Sequence, residues 1–238
     1  MNKTLRHTLT IGILTLFLTQ IGFSQSIDKF VDSTIKVDSL NVPTEYGQSY
    51  FPKEMFPEVE QNWIKTKKGF RVEPIVKEGT YDSFIVDWYS EQLYAMKEPL
   101  LFNRIVDKEV YRFTWLRTFD KPMVFRIENR KGDYILYYKI LDGKGGYEPG
   151  RIEVEKTKNL TKKEWLTFKK LIENADFWNM SLGRNSIGLD GSEWILEGLT
   201  PTKYRAVTIW SPTEGSFYEA CIYLISLSDL TLTENERY

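Results

Sequence analysis

The sequence predicts an α+β fold, a mostly antiparallel sheet of about six strands with about three helices packed on it. Two observations support this prediction. From Val110 the apolar residues follow a period of two, which is typical of strands, whereas the segments before and after follow the helical period. Short polar turns join most successive strands, and such turns connect antiparallel neighbours. We expect the helices to cover one face of this sheet.

Three segments have the residue spacing of amphipathic helices. The first begins after Asp82, a residue type that often caps helices. The second begins at Thr161, where Glu164 completes a capping box, and the third at Ser216, where Glu219 offers the same pairing. The expected buried stripes are, in chain order, Ile85, Tyr89, Leu93 and Met96; Trp165, Phe168, Leu171, Ile172 and Ala175; and Phe217, Ala220, Cys221, Leu224 and Leu227.

The strands are predicted from alternation of side-chain character. In the first of them Tyr111, Phe113 and Trp115 alternate with more polar residues such as Arg112 and Thr114. Three further strands are expected near residues 123–128, 134–140 and 151–157, and a hairpin near residues 194–196 and 204–210.

Residues 1–24 are predicted to be a signal peptide. Lys3 and Arg6 precede an apolar run that begins at Ile11, and small residues near its end form a cleavage site. The alternative is an uncleaved membrane anchor, but the run is shorter than the roughly 20 apolar residues that span a bilayer. We therefore expect a secreted or periplasmic protein with no stable membrane span after cleavage.

The remainder of the chain is expected to have two parts. Residues 25–80 are polar and interrupted by prolines, so we interpret them as an irregular N-terminal extension. Residues 81–238 contain all the predicted helices and strands and are expected to form one α+β domain.

Composition excludes several functional classes. The formal charge of −1 gives no basic surplus for nucleic acid. The one histidine, His7, lies in the predicted signal peptide, so a Ser-His-Asp triad and an imidazole metal site are excluded from the exported part. The one cysteine, Cys221, lies on an apolar helical stripe and is expected to be a core residue. We predict no catalytic residue, no metal ligand and no cofactor, while a Ser-Lys pair or an all-carboxylate metal site stays open.

The candidate ligand-binding residues are acidic or basic side chains near predicted turns. The glycine-rich segment 142–150 is interpreted either as a long structural turn or as a ligand loop. We expect this segment to approach other polar groups of the last hairpin at one edge of the sheet, where Arg205 could also pair with strand carboxylates. The predicted ligand-binding residues are Asp142, Glu148, Asp190, Glu197 and Arg205.

Two alternatives concern the carboxylates and the aromatic residues. Glu193 and Glu197, together with Asp190, suggest a glycosidase-like pair of acids, although acids at such spacing are common on sheet faces. Aromatic residues form 15% of the chain. Their helical and strand positions favour a packed core, and a carbohydrate-binding platform is the alternative.

Several motifs together resemble an uncharacterised family of exported bacterial proteins. The resemblance covers roughly residues 110–230 and implies no known activity. The segments that carry it are Trp115-Leu116-Arg117-Thr118-Phe119, Asp142-Gly143 with Gly145-Gly146-Tyr147-Glu148-Pro149-Gly150, Glu164-Trp165 with Phe177-Trp178, Asp190-Gly191-Ser192-Glu193-Trp194-Ile195-Leu196-Glu197-Gly198 and Trp210-Ser211-Pro212.

These observations lead to three functional hypotheses. The first is a non-catalytic exported protein that binds a partner protein or a small ligand. The second is a carboxylate-dependent hydrolase, with sugars as candidate substrates, and the third is a purely structural envelope protein. Two acids facing each other in a pocket would favour the hydrolase, whereas an exposed aromatic patch would favour binding.

Overall fold

The computed structural model describes residues 26–32, 34–67, 69–77, 79–181 and 190–232. The strands are β1 (Val59–Thr66), β2 (Gly69–Val76), β3 (Glu109–Arg117), β4 (Met123–Arg130), β5 (Asp133–Leu141), β6 (Ile152–Leu160), β7 (Ser192–Leu199) and β8 (Tyr204–Trp210). The helices are α1 (Ser83–Ala95), α2 (Lys162–Asn174) and α3 (Ser216–Ser226), and short 3-10 helices lie at Ile27–Lys29, Lys53–Met55 and Phe177–Asn179.

Strands β3 to β8 form one six-stranded sheet with the order β6-β5-β4-β3-β7-β8. Every neighbouring pair is antiparallel, and β1 pairs with β2 in a separate two-stranded sheet. The predicted α+β class, with an antiparallel sheet of six strands and three helices, is therefore confirmed.

One face of the sheet is aromatic and packs against α2 and α3. In β3 this face carries Tyr111, Phe113 and Trp115, which the alternation predicted. Trp165 and Phe168 of α2 pack against these rings, and α3 lies beside α2. Burial of this many aromatic rings stabilises the fold, so that no disulfide is needed to hold it together.

The opposite face is covered by α1 and by N-terminal residues, so the helices do not all lie on one face as we expected. Val110, Leu116 and Ile195 on this face are apolar and pack with Tyr89 and Leu93 of α1. The physical reason is that β3 and β7 are central strands, and their second face also needs to be removed from water.

The helix starts follow the predicted caps in two cases of three. The Asp82 side chain accepts a hydrogen bond from the Ile85 N–H at the start of α1. Thr161 and Glu164 form the complete capping box of α2. The predicted box at the start of α3 is wrong, because the cap is Gly215, at φ 95°, with no side-chain hydrogen bond.

The segment predicted to be an irregular extension contains β1 and β2 and supplies buried side chains to the α1 face of the sheet. Tyr50, Phe51 and Phe56 are all buried there. The predicted signal peptide lies outside the described residues. Within the part of the chain that the structure describes, no helix has both the length and the apolarity needed to cross a membrane.

Candidate functional site

The predicted glycine-rich loop, residues 142–150, connects β5 to β6 at the end of the sheet where β3 finishes. The Asp142 carboxylate accepts a hydrogen bond from the Arg151 N–H (2.6 Å), so this acid closes the loop at its base. Within the loop, the Gly145 N–H donates to the Asp120 C=O (2.9 Å). These contacts make the loop an ordered turn packed on the neighbouring β3–β4 connection.

Two of the predicted ligand-binding residues, Glu148 and Asp190, are exposed at this same end. The Gly146 N–H of the loop donates to the Thr118 C=O (3.2 Å), and the Thr118 N–H donates to the C=O of Gly191, next to Asp190 (2.9 Å). The loop and the start of β7 therefore meet through the end of β3.

The other two predicted residues, Glu197 and Arg205, lie elsewhere and on opposite faces of the sheet. Glu197 is opposite Ala206 in the register, and Arg205 is opposite Gly198. Cross-strand partners share a face and successive residues alternate, so the expected pairing of Arg205 with these carboxylates does not form. Burial lowers the pKa of Arg205, and the charge of Asp176 partly offsets that effect.

A cleft of about 840 Å³ lies at the loop end of the sheet, and we call it the α1 cleft. Its walls come from the outer side of α1, from residues 46–48, from the loop and from the end of β8. Its described lining residues are Tyr46, Gly47, Gln48, Phe84, Asp87, Trp88, Ser90, Glu91, Tyr94, Thr118, Gly146, Tyr147, Glu148 and Trp210.

Helix α1 contributes two different surfaces. Tyr89 and Leu93 face the sheet, whereas Phe84, Trp88 and Glu91 follow one another at helical spacing on the side that lines the cleft. The indole N–H of Trp88 donates to the Gly145 C=O (2.7 Å), which fixes the loop against the helix. The cleft is therefore held between elements that are far apart in the chain.

Gly145 allows the loop to approach the end of β3 closely. A Cβ atom at this position would lie 2.6 Å from the backbone nitrogen of Arg117. Any larger residue would push the loop away from β3 and displace the carbonyl group that Trp88 binds. At this position of the glycine-rich segment, the glycine is therefore needed for the loop to pack against the end of β3.

The rings of the α1 cleft are unusually exposed for their size. Phe84 is 72% exposed, Tyr46 is 68% exposed and Tyr147 is 59% exposed. Tyr46 contacts Tyr94 edge to face, with 5.5 Å between ring centroids, and Phe84 lies 6.3 Å from Trp88. Such a group of exposed rings in a concave site is typical of a binding surface.

Three carboxylates share the cleft with these rings. The Tyr46 hydroxyl donates a hydrogen bond to Glu91 (2.9 Å). That hydrogen bond raises the pKa of Tyr46, and the negative charge of Glu91, slight burial and the charges of Glu148 and Asp87 raise it further. The negative charges of these three carboxylates therefore all act in the same direction on the Tyr46 hydroxyl.

Beneath α1, the sheet carries a buried layer of ion pairs that includes Glu197. Arg112 holds the Glu197 carboxylate with two hydrogen bonds, of 2.6 and 2.8 Å, and the Tyr204 hydroxyl adds a third of 2.9 Å. Burial raises the pKa of Glu197, against the lowering effects of Arg112 and Tyr204. All three side chains are buried, so Glu197 is a structural partner of Arg112.

Glu98 joins the same layer from the segment that follows α1. It accepts a hydrogen bond from Arg126 (2.8 Å) and lies 3.1 Å from the Lys139 ammonium group. Burial acts to raise the pKa of Glu98, but the positive charges of Arg126, Lys139 and Arg112 outweigh it and hold the pKa below its usual value. The layer thus ties the chain after α1 to β3, β4 and β5.

Glu193, the other acid of the proposed glycosidase-like pair, is also buried, and it accepts a hydrogen bond from the Thr208 hydroxyl. Glu193 and Glu197 therefore do not face solvent together. Cys221 is buried, and burial raises the pKa of its thiol well above the usual range. Trp115 and Trp194 are buried too, which confirms the core interpretation of these residues.

The sequence predicts Glu148 as a site residue, but it does not predict most of the other residues that line the cleft. One signal was present: Phe84 and Trp88 fall outside the buried stripe of α1 at the spacing of adjacent helical turns. Phe84 is mostly exposed there, whereas Trp88 packs partly against the buried residues of the α1 face and binds the loop. Searches against models of known protein families and against curated proteins both find no match for this chain.

Proposed function

We propose that this chain is a non-catalytic exported protein that binds a small ligand in the α1 cleft. The observation that carries the proposal is the cleft itself, in which exposed rings and polar groups converge. Its volume of about 840 Å³ lies within the range of sites that enclose small molecules. Large exposed aromatic rings lower the solubility of a protein, and a role in ligand binding explains why they are exposed here.

The chemistry of the lining favours binding over turnover. Among the described lining residues there is no lysine, histidine or cysteine. The Ser90 hydroxyl donates to the Val86 C=O within α1 (2.6 Å), so it is engaged in the helix. A nucleophile needs an adjacent base to be activated, and the described lining offers Ser90 none of the usual imidazole or amine partners.

A ligand screen by thermal unfolding tests the proposal. A ligand that binds the folded chain raises the melting temperature according to the logarithm of its concentration over Kd. We expect at least one ligand from a panel of sugars, peptides, amines and nucleotides to raise it. Phe84→Ala should remove that shift while leaving the unliganded melting temperature unchanged, because the ring is mostly exposed.

Leu166→Ala is the matched control, since Leu166 is a similarly exposed apolar residue on α2, which covers the other face of the sheet. This variant should keep the full ligand-induced shift. A shift that survives Phe84→Ala, or the lack of any shift across the panel, would count against binding in the α1 cleft.

The second candidate function is a carboxylate-dependent hydrolase, with sugars as candidate substrates. The observation that favours it is that Asp87 and Glu91 line the cleft one helical turn apart, with Glu148 across from them on the loop. Release of reducing ends from oligosaccharides, abolished by Glu91→Gln, would establish turnover and replace the binding proposal.

Export is the remaining part of the proposal, and the basic start and apolar run of residues 1–24 support it. Expression of the full chain in a bacterium, followed by fractionation, should yield a product outside the cytoplasm. Its mass should correspond to a chain that begins at Gln25. A full-length product retained in the membrane fraction would instead support the uncleaved anchor.

A further inference from the structure

The α1 cleft carries three acids and no compensating base among its described lining residues. Asp87, Glu91 and Glu148 line it, and none of its described lining residues is a lysine or an arginine. None of the salt bridges formed between described residues includes any of these three acids. No ion pair between described residues therefore neutralises the negative charge of the lining.

The rings of the cleft provide a second, independent observation. Elsewhere, cations of the chain lie over its own rings, as Lys53 does 4.8 Å from the centre of Tyr81 and Arg126 does 4.3 Å from that of Tyr137. A ring face attracts a cation through its quadrupole. In the described structure, no cation of the chain occupies the rings of Tyr46, Phe84, Trp88, Tyr94 or Tyr147.

We infer that the α1 cleft selects a small organic cation, an ammonium or guanidinium group carried on an apolar frame. This inference rests on the proposed function and adds the charge of the ligand to it. The cation would lie between Glu91 and Glu148, and its apolar frame would pack on Phe84 and Trp88. An anion is repelled by all three acids, and a neutral ligand leaves their mutual repulsion in place.

The raised pKa of Tyr46 supports this assignment. Three carboxylates stabilise the neutral form of its hydroxyl against the phenolate. The same field that disfavours a negative charge at Tyr46 favours a positive charge placed nearby. These acids lie on two different walls of the cleft, since Glu91 and Asp87 belong to α1 and Glu148 to the loop.

Calorimetric titration with matched probes tests the sign of the ligand charge. Phenethylamine and phenethyl alcohol share one apolar frame and differ in charge, and agmatine and spermidine supply guanidinium and polyamine arms. We expect the three cations to bind and the alcohol to bind at least about tenfold more weakly. Cation affinity should fall as salt is added, because exposed charges are screened.

Glu91→Gln and Glu148→Gln test the acids while preserving side-chain size. Each substitution should weaken phenethylamine binding about tenfold, in line with the loss of one charge-assisted contact. Glu173→Gln is the matched control, because Glu173 is an exposed acid of α2, which lies against the other sheet face. It should leave the affinity unchanged.

The possible outcomes separate this inference from the proposed function. Equal binding of the amine and the alcohol, an unchanged affinity in both glutamine variants, or no binding of any of the three cations would overturn the inference. A neutral ligand whose binding is lost in Phe84→Ala would leave the binding function standing with a different ligand class. If the wider panel also fails to bind, both proposals fall.

Discussion

Replacing Arg112 by methionine is expected to lower the free energy of unfolding by about 3–5 kcal/mol. The guanidinium group holds both oxygens of Glu197 and also donates to the Pro99 C=O (2.6 Å). Methionine fills similar volume but leaves Glu197 as a buried carboxylate with only Tyr204 as a described hydrogen-bond donor. Urea unfolding followed by tryptophan fluorescence measures the change through the midpoint.

The loss should depend on pH in a defined direction. Without Arg112, burial raises the pKa of Glu197 further in the folded chain, so the folded state binds a proton more tightly than the unfolded state. A group with a raised folded pKa stabilises the chain at low pH and loses that contribution as the pH rises. The deficit of the variant should therefore be smallest near pH 4, close to the unfolded pKa of about 4.3, and grow toward neutral pH.

Two further variants make this result decisive. Adding Glu197→Gln to Arg112→Met removes the buried charge and should recover part of the lost stability. Lys36→Met breaks an exposed pair, with side chains 71% and 51% exposed, and should change stability by less than about 1 kcal/mol. A loss in Arg112→Met that is independent of pH and unrelieved by the second substitution would contradict the ion-pair explanation.

Replacing Phe113 by alanine is expected to cost about 3–5 kcal/mol, through lost ring burial and the cavity left behind. Phe113 is buried on the aromatic face of the sheet. Its ring centroid lies 5.0 Å from that of Trp194 and 6.1 Å from that of Phe125, so the substitution removes contacts to both neighbouring strands. The measurement is again the urea midpoint.

Phe84→Ala provides the comparison for the same chemical change on the outside of α1. Because this ring is mostly exposed, its removal should change stability by no more than about 0.5 kcal/mol. Phe113→Leu, a smaller change in the same site, should cost less than Phe113→Ala and keeps the measurement possible if the alanine variant does not fold. Similar losses for Phe84→Ala and Phe113→Ala would contradict the assignment of one ring to the cleft and the other to the core.

The sheet could be predicted because its local signals agree with its packing. Tyr111, Phe113 and Trp115 alternate with other residues in a strand that is in fact buried on both faces. The burial of the second face could not be predicted. An arginine in a strand normally faces water, and only the contact with Glu197 explains why Arg112 is buried. That pair joins residues that are far apart in the sequence, and no local pattern identifies it.

The candidate site was only partly predictable, for a similar reason. Glu148 was found because it lies in a glycine-rich loop that stands out by composition. The remainder of the cleft forms where residues 46–48, α1 and that loop meet, and this meeting depends on tertiary packing. The expected pairing of Arg205 with strand carboxylates does not form, because a shift of one residue along a strand moves a side chain to the other face.

The two faces of the central sheet are expected to tolerate different kinds of amino-acid substitution during evolution. On the aromatic side, single exchanges that conserve volume cost little, so positions such as Phe125 can vary one at a time. On the α1 side, a substitution at Arg112 leaves the buried Glu197 carboxylate without its ion-pair partner. A substitution at Glu197 likewise leaves the buried Arg112 guanidinium group without the carboxylate that it binds. In homologous chains, Arg112 and Glu197 should therefore be substituted together, whereas residues of the aromatic face should be substituted independently of one another.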